Sequence, residues 1–518
     1  MEKIKILWAD DEIDLLKIHI LFLQEKGYDV TTATNGDDAI DFVKEKYFDL
    51  IFLDENMPGL SGLETLEKIK TIYPSLPVVM VTKSEEEDIM DQAIGSKISD
   101  YLIKPVNPKQ ILLAIKKHVE TKDLISKKTT TAYQTEFGKL GLQINNCRDI
   151  NDWFDVYKKL VYWELELAET KQNGMEEVLK MQKNDANNSF ARFIKNNYIG
   201  WFNGKDNRPI MSPNFFKDKV FPFIDNNVNV FVILIDNLRY DQWKVLQPII
   251  QQYYMIDEEN LICSILPTAT QFARNAMFAG LMPSEIERLY PELWTDDDEE
   301  ESKNQFEKEL LQKQLNRYGY KTRMNYEKIM NMRAGTKLVE NLSNMIGKEL
   351  NVIVYNFIDM LSHARTEMDM IRELASDEAA YRSLTLSWFE HSSLLDLLKE
   401  LAVKSPKTKV IITTDHGTIQ VNNAVKVIGD RYTNTNLRFK QGKNLNYNPK
   451  DVFALTQPQK VYLPINNLSS TYIFACNNDF FAYPNNYNHY VKYYKNTFQH
   501  GGVSLEEMLI PCITLSPK

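Results

Sequence analysis

Apolar and polar positions alternate along this chain in two regimes. Over residues 1–120, short apolar runs at 4–9, 28–33, 50–53, 78–81 and Asp100–Ile103 alternate with amphipathic stretches of helical period. Runs this short and this apolar suit strands covered by helices on both faces of a parallel sheet. A doubly wound, five-stranded parallel domain is expected there. Residues 121–222 change to helical spacing. Trp153, Phe154, Tyr157, Leu160, Val161, Leu165 and Leu167 form one stripe, and Phe190, Phe193, Ile194 and Tyr198 form another. Thr129-Thr130-Thr131 and Asn145-Asn146 read as punctuation, so a helical-bundle linker is expected. From 223 to 518 the α/β alternation returns, with apolar runs at Val230–Ile235, 352–357 and 410–414. The expected fold class is α/β: a small doubly wound parallel domain, a helical linker and a large C-terminal α/β domain. The acidic run at 296–301 reads as a solvated loop or helix start, and the Asn-rich stretch at 434–448 as a surface excursion.

Composition narrows the function classes. Hydrophobic residues make up 43% and charged residues 25% of the 518 residues, values that allow large cores. The net charge of −10 argues against broad binding to nucleic acid, though not against a nucleotide bound at a local metal site. Cys147, Cys263, Cys476 and Cys512 form no CxxC pair and read as reduced thiols. The N-terminus reaches Asp10-Asp11 after too short an apolar run for a signal peptide, and no run is long enough for a membrane span. A cytoplasmic protein is expected.

Chemistry-bearing residues sit where strands end. In the first domain, Asp10 and Asp11 follow the first strand, Asp54 ends the third, Thr82 follows the fourth and Lys104-Pro105 follows the fifth. Carboxyl ends of parallel strands share one edge of the sheet, so these groups can meet in one pocket. Clustered carboxylates favour a hard cation such as Mg2+, and a cation with an opposing ammonium favours phosphoryl transfer onto Asp54. A single such aspartate would ordinarily be a turn former; five positions in strand order make that insufficient. Residues 1–120 resemble a response-regulator receiver domain, with Leu53-Asp54-Glu55-Asn56-Met57-Pro58-Gly59 and Tyr101 as further matches. The resemblance implies phosphorylation of Asp54 and Mg2+ held by Asp11, Asp54 and the Asn56 carbonyl, with Asp10 acting through water. It also implies Thr82, Tyr101 and Lys104 as switch residues, and a cis Lys104–Pro105 bond.

In the C-terminal domain three apolar runs lead into aspartates: Asp236, Asp359 and Asp415. His363 follows Asp359 by four residues, His416 follows Asp415 directly, and His500 opens His500-Gly501-Gly502-Val503-Ser504. Mixed His/Asp sets suit Zn2+, with Mn2+ a second option. Two metals can clamp the attacking and leaving oxygens of a phosphate ester. A helix is expected from Thr270 to near Gly280. The Thr270 hydroxyl fits an N-cap role or that of a nucleophile, and Arg274 one turn later fits a phosphate contact.

Residues 225–518 resemble the PglZ-type branch of the alkaline phosphatase superfamily. The motifs are Asp236-Asn237-Leu238-Arg239-Tyr240-Asp241, Pro267-Thr268-Ala269-Thr270, Asp359-Met360-Leu361-Ser362-His363, Thr414-Asp415-His416-Gly417 and His500-Gly501-Gly502-Val503-Ser504 with Glu507 and Pro511. This resemblance implies Thr270 as nucleophile. It places one zinc on Asp236, Asp415, His416 and Thr270, a second on Asp359, His363 and His500, and substrate on Arg239 and Arg274. Many phosphodiesterases of the superfamily carry asparagine three residues after the nucleophile; here that position is Ala273 and Asn275 is displaced. The full arrangement resembles PorX-type response regulators, linked to type IX secretion. It implies a sensor histidine kinase partner, a homodimer on phosphorylation, and a sigma factor or type IX secretion component as a further partner. It also implies nucleotide or oligonucleotide phosphodiesters as substrate, without direct promoter binding. The alternative is a metal-stabilised docking module without turnover.

Overall fold

The computed structural model describes residues 3–74, 76–83, 98–168, 173–204, 208–226, 228–295, 304–429, 433–465, 470–484 and 486–518. They fall into two compact units, Met1–Ala132 and Tyr133–Lys518. The acidic run at 296–301 lies outside the described residues.

The first unit is built on β1 (Lys5–Ala9), β2 (Asp29–Ala33), β3 (Leu50–Asp54), β4 (Val78–Thr82) and β5 (Asp100–Ile103), in the order β2-β1-β3-β4-β5. All neighbouring strands are parallel. Side chains alternate across a strand. Leu7 and Ala9 accordingly enter one core with Ile51 and Leu53, while Ile6 and Trp8 enter another with Leu50 and Phe52. Both faces of the central strands β1, β3 and β4 are covered, as their apolar sequences foretell, while the edge strands β2 and β5 are more open.

The second unit centres on a six-stranded sheet. Its strands are β6 (Val230–Ile235), β7 (Tyr254–Cys263), β8 (Met324–Ile329), β9 (Leu350–Tyr355), β10 (Lys409–Thr413) and β18 (Leu509–Pro517), in the order β7-β18-β10-β6-β9-β8. Strands β10, β6, β9 and β8 are parallel, and β18 runs antiparallel to both β10 and β7. Short strands form three accessory sheets. β11 (Ile419–Gln420) pairs with β17 (Phe498–Gln499), and β12 (Asn423–Lys426) with β16 (Asp479–Ala482). β13 (Phe439–Gly442) and β14 (Val452–Leu455) flank β15 (Thr471–Ala475). Along β6, Phe231, Ile233 and Ile235 face one core, and Val230, Val232 and Leu234 face the other.

The linker helices Ile150–Ala168 and Asn173–Trp201 pack within the first of those cores. Trp153, Tyr157, Phe190, Ile194 and Tyr198 are buried together with Phe231, Ile353 and Val410. Truncating such a buried aromatic costs about 3–5 kcal/mol, so the helices are held by the sheet as well as by each other.

Four expectations are corrected. The residues read as punctuation lie inside one continuous helix, Thr121–Asn146, because Thr and Asn are tolerated mid-helix where packing supplies the stability. The strand expected at 352–357 is β9, which stops at Tyr355, and Asp359 lies in the first turn of helix Phe357–Glu367 instead of at a strand end. Arg438, Phe439, Lys440 and Gln441 in the expected surface excursion are buried; β13 pairs with β15, and Arg438 forms an ion pair with Glu507. Polar composition misleads there because Arg438 is paired with Glu507 and the Lys440 ammonium donates to the Asn434 carbonyl at 2.8 Å.

Candidate active site and phosphoacceptor site

In the first unit, the strand ends bring Asp10, Asp11 and Asp54 together with oxygens within 4.8 Å of one another. Asp10 and Asp54 are buried and Asp11 is exposed. Lys104 Nζ lies 2.8 Å from Asp10 Oδ2 and 3.0 Å from Asp54 Oδ1. Burial pushes the Asp54 carboxyl above its usual range, Lys104 opposes that, and Asp10 and Asp11 add to it. Burial also works against the Lys104 charge, but hydrogen bonds to Asp10 and Asp54 outweigh it and raise its pKa. The pocket therefore carries more negative charge than its one ammonium balances, a donor set that fits a divalent cation. Thr82 is buried at the end of the neighbouring strand, Tyr101 is half-buried, Asn56 is exposed beyond Asp54, and the Lys104–Pro105 bond is cis.

In the second unit, Asp236 immediately follows β6, and Asp415 and His416 follow the adjacent β10. Asp236, Asp415 and His416, all buried, form one group with ligand atoms within 4.8 Å; Asp359, His363 and His500 form another. The His416 and His500 rings stack at 4.2 Å between centroids, so the two groups adjoin. Second-sphere contacts fix each imidazole. His416 Nδ1 lies 3.1 Å from the Gly417 carbonyl, which turns Nε2 towards Thr270 Oγ1 at 3.0 Å. His500 Nδ1 lies 3.1 Å from the Thr268 carbonyl, and its Nε2 is 3.9 Å from Asp359 Oδ1. Burial, together with His416 and His363 beside it, holds the His500 imidazole well below its usual pKa, in the neutral form that can ligate a metal.

Thr270 is not the cap of its helix. The N-cap is Ala269, which makes no side-chain cap bond, and Thr270 is the first residue of helix Thr270–Ala279. The next nine residues are all buried, whereas Thr270 is part-exposed. Its hydroxyl thus faces an accessible site beside the helix's free N–H groups. The preceding loop is clamped: the Leu266 N–H donates to the Tyr198 hydroxyl at 2.8 Å, and the Ser264 hydroxyl donates to the Asp415 carbonyl at 2.7 Å. Gly280 closes the helix in the left-handed region, where glycine carries no steric cost.

The carboxylates fit a cation. Asp236 Oδ1 is buried and accepts no hydrogen bond. Burial, only partly offset by Arg274, pushes the Asp236 carboxyl well above its usual range, and Asp415 and Asp359 add to that. At Asp415 burial is outweighed by Arg274 and His416, which hold its carboxyl down at about 2. An unsatisfied buried carboxylate oxygen beside a second carboxylate and an imidazole is the donor set of a divalent metal site.

The two expected substrate arginines are placed otherwise. Arg274 is fully buried and bridges Asp236, Asp415 at 3.1 Å and Glu307 at 3.2 Å. Arg239 is buried against Asp241 and 3.4 Å from Glu378. Spacing from a motif gave no sign that internal carboxylates would claim both guanidinium groups. The sequence reading also missed Asn237 and Thr268. Asn237 adopts φ 66°, and its amide donates to Asp359 Oδ1 and Ser362 Oγ, each at 3.3 Å. Thr268 Oγ1 donates to the Gly502 carbonyl at 2.9 Å and accepts from the Gly501 N–H at 3.1 Å. Both lie inside motifs already noticed, so position within the motif was the available signal.

Comparison with known proteins divides the chain into three segments, the last two of which fall almost wholly within the second unit. Residues 6–116 match the response regulator receiver domain, 123–202 the PorX response regulator linker domain, and 215–515 the BREX system PglZ alkaline phosphatase-like domain. A transcriptional regulatory protein ZraR of Klebsiella oxytoca is 36% identical over 140 residues, which is 27% of this chain and 32% of that protein. The transcriptional regulatory protein ResD of Bacillus subtilis is 35% identical over 112 residues, 22% of this chain and 46% of that protein. The chain thus spans about a third to a half of the length of these curated relatives. A solved receiver domain from Clostridium thermocellum is 31% identical, covers 23% of this chain and 98% of its own, and superposes with a TM-score of 0.22. Among the described residues no helix is long and apolar enough to cross a membrane. With a receiver at one end, a PorX-type linker between and a matched phosphatase-like domain over more than half its length, the chain belongs to the PglZ alkaline phosphatase-like family in its response-regulator form.

Proposed function

We propose that this protein is a two-component response regulator, phosphorylated on Asp54 by a sensor histidine kinase, whose output is a zinc-dependent phosphodiesterase acting on nucleotide or oligonucleotide phosphodiesters. The observation that carries the reading is the part-exposed Thr270 hydroxyl, 3.0 Å from His416 Nε2 at the mouth of two adjoining Asp/His groups. Zn2+ bound to these groups, with Mn2+ a second option, would supply Lewis acidity for the developing charge on phosphate. Asp236, Asp415, His416 and Thr270 are the residues to hold one ion, and Asp359, His363 and His500 the other. Thr270 Oγ would attack phosphorus as its proton is lost to solvent, the bond to the leaving oxygen would break and that oxygen would depart as an alcohol, and water would then hydrolyse the phosphothreonyl diester to free Thr270 and a phosphomonoester. Arg274 keeps Asp236 and Asp415 in place and does not meet substrate. In the receiver, Asp10, Asp11, Asp54 and the Asn56 carbonyl would hold Mg2+, while Lys104, Thr82 and Tyr101 respond to the new phosphoryl group. The proposal extends to a homodimer on phosphorylation, a place in the cytoplasm, and regulation of type IX secretion through a sigma factor or secretion component, with the match to the PorX response regulator linker domain as its support.

The test is metal content together with turnover of bis(p-nitrophenyl) phosphate and p-nitrophenyl phosphate, for the wild type and Thr270→Ala, with and without beryllofluoride. Zinc-loaded protein with Thr270-dependent diesterase turnover is expected. Zinc without turnover on either ester would replace this reading with the docking module.

A further inference from the structure

Residues 480–505 stand apart from the rest of an acidic chain. They contain no Asp or Glu, yet they carry Lys492, Lys495, His489 and five tyrosines. Most of the tyrosines lie on helix Tyr487–Tyr494, which has no buried residue. Tyr487, Val491 and Tyr494 lean on the small core of Val421 and Phe480, and the outward rings pair with one another. Tyr490 stacks on Tyr494 at 6.1 Å and 13°, and His489 on Tyr493 at 6.2 Å and 19°. The Arg372 guanidinium lies 5.4 Å over the Tyr493 ring. His489, Tyr490 and Lys492 are exposed.

This shelf is tied to the metal-ligand segments at both ends. Arg372 donates to the Thr366 carbonyl at 2.7 Å. Thr366 is on the helix that carries Asp359 and His363, within one turn of His363, about 5 Å of rise. The chain leaving the shelf passes through β17 directly into His500, and the Gln499 amide reaches Thr366 Oγ1 at 3.4 Å.

We propose that helix Tyr487–Tyr494 with Arg372 is a base-stacking platform that holds single-stranded nucleic acid beside the Asp359/His363/His500 group. The proposal rests on the phosphodiesterase reading of that neighbouring site and adds the residues that select its substrate. Flat rings accept any base, Lys492, Lys495 and Arg372 attract the phosphates, and helix Tyr487–Tyr494 itself carries no carboxylate, the nearest in sequence to Arg372 being Glu373. Duplex DNA, with its bases already stacked on each other, cannot use the rings.

The experiment uses the full chain carrying Thr270→Ala, so that binding is read without turnover, and a fluorescein-labelled eight-nucleotide DNA strand followed by anisotropy. With one base stacked across the two rings, stacking of roughly 1–3 kcal/mol per base predicts that Tyr490→Ala with Tyr493→Ala weakens binding about 5- to 150-fold. Tyr490→Phe with Tyr493→Phe should bind as the parent does, and the duplex more weakly than the single strand. A double Ala variant within twofold of the parent, with an unchanged melting temperature, would overturn the platform. So would equal affinity for duplex and single strand. Because no hydrolysis is needed, failure of the diesterase reading and failure of the shelf are read separately.

Discussion

Removing the Lys183 ammonium tests how the linker helices support the phosphatase-like domain. Lys183, on linker helix Asn173–Trp201, lies 2.7 Å from Glu164, 3.0 Å from Glu378 and 3.6 Å from Glu506, with its side chain 12% exposed. Arg382 continues the network to Glu164 and Asp241, and Arg239 to Asp241 and Glu378. Four carboxylates therefore face three cations, and Lys183→Met leaves them facing two. Deleting one partner of a buried ion pair costs about 3–5 kcal/mol; because both arginines remain, the lower end applies, about 3 kcal/mol. For a unit of this size, with an unfolding entropy on the order of 0.8 kcal/mol/K, that is a fall in melting temperature of about 4 °C.

The pH dependence has a definite sign. Burial works against the Glu378 charge, but Lys183 and then Arg239 outweigh it and hold its carboxyl down at about 2. A depressed carboxyl contributes stability above its unfolded pKa and loses it as pH falls. Burial raises the Glu506 pKa despite Lys183, so its contribution is full below the unfolded pKa and is lost as pH rises. In Lys183→Met both carboxyls shift up. The gap from wild type should be widest near pH 7 and narrow towards pH 4.5, and adding Glu506→Gln should recover part of it at neutral pH. Thermal melting by near-ultraviolet circular dichroism reads all of this. A variant melting within about 1 °C of wild type at pH 7, or a gap that does not change between pH 7 and 4.5, would refute the reasoning.

Three further outcomes are expected. Chelation should lower the melting temperature of the phosphatase-like unit, and zinc at a hundredfold above its Kd should restore about 2.7 kcal/mol; calorimetry that shows no zinc dependence would mean the Asp/His groups hold no metal. Gly417→Ala should cost more than about 3 kcal/mol and displace His416, because a Cβ there would lie 2.0 Å from the Glu506 carbonyl oxygen; zinc content and melting temperature check it. Asp54→Asn should accept no phosphoryl group from acetyl phosphate, read as the absence of a retarded band in a phosphate-affinity gel.

Sequence alone determined what depends on local periodicity and on short motifs. The five receiver strands, β6, β10 and the helix from Thr270 follow from apolar runs and a starting polar residue, because strand and helix period are properties of neighbouring residues. The Asp10/Asp11/Asp54 and Asp236/Asp415/His416 groups were also legible, since parallel strands deliver their carboxyl ends to one edge, whereas the Asp359/His363/His500 group was legible from its motifs alone. Tertiary structure decided the rest. Arg239 and Arg274 look like substrate ligands in a motif, but whether a guanidinium meets substrate or an internal carboxylate depends on Asp241, Glu307, Glu378 and Asp415, the farthest 141 positions away. Arg438 and Lys440 look solvent-exposed until β15 and Glu507 enclose them. Thr270 taken alone reads as a cap in the sequence, whereas the fold sets Ala269 at the cap and turns the Thr270 hydroxyl towards His416. In each case the missing quantity was the partner across the fold, which burial and charge pairing supply and local pattern does not contain.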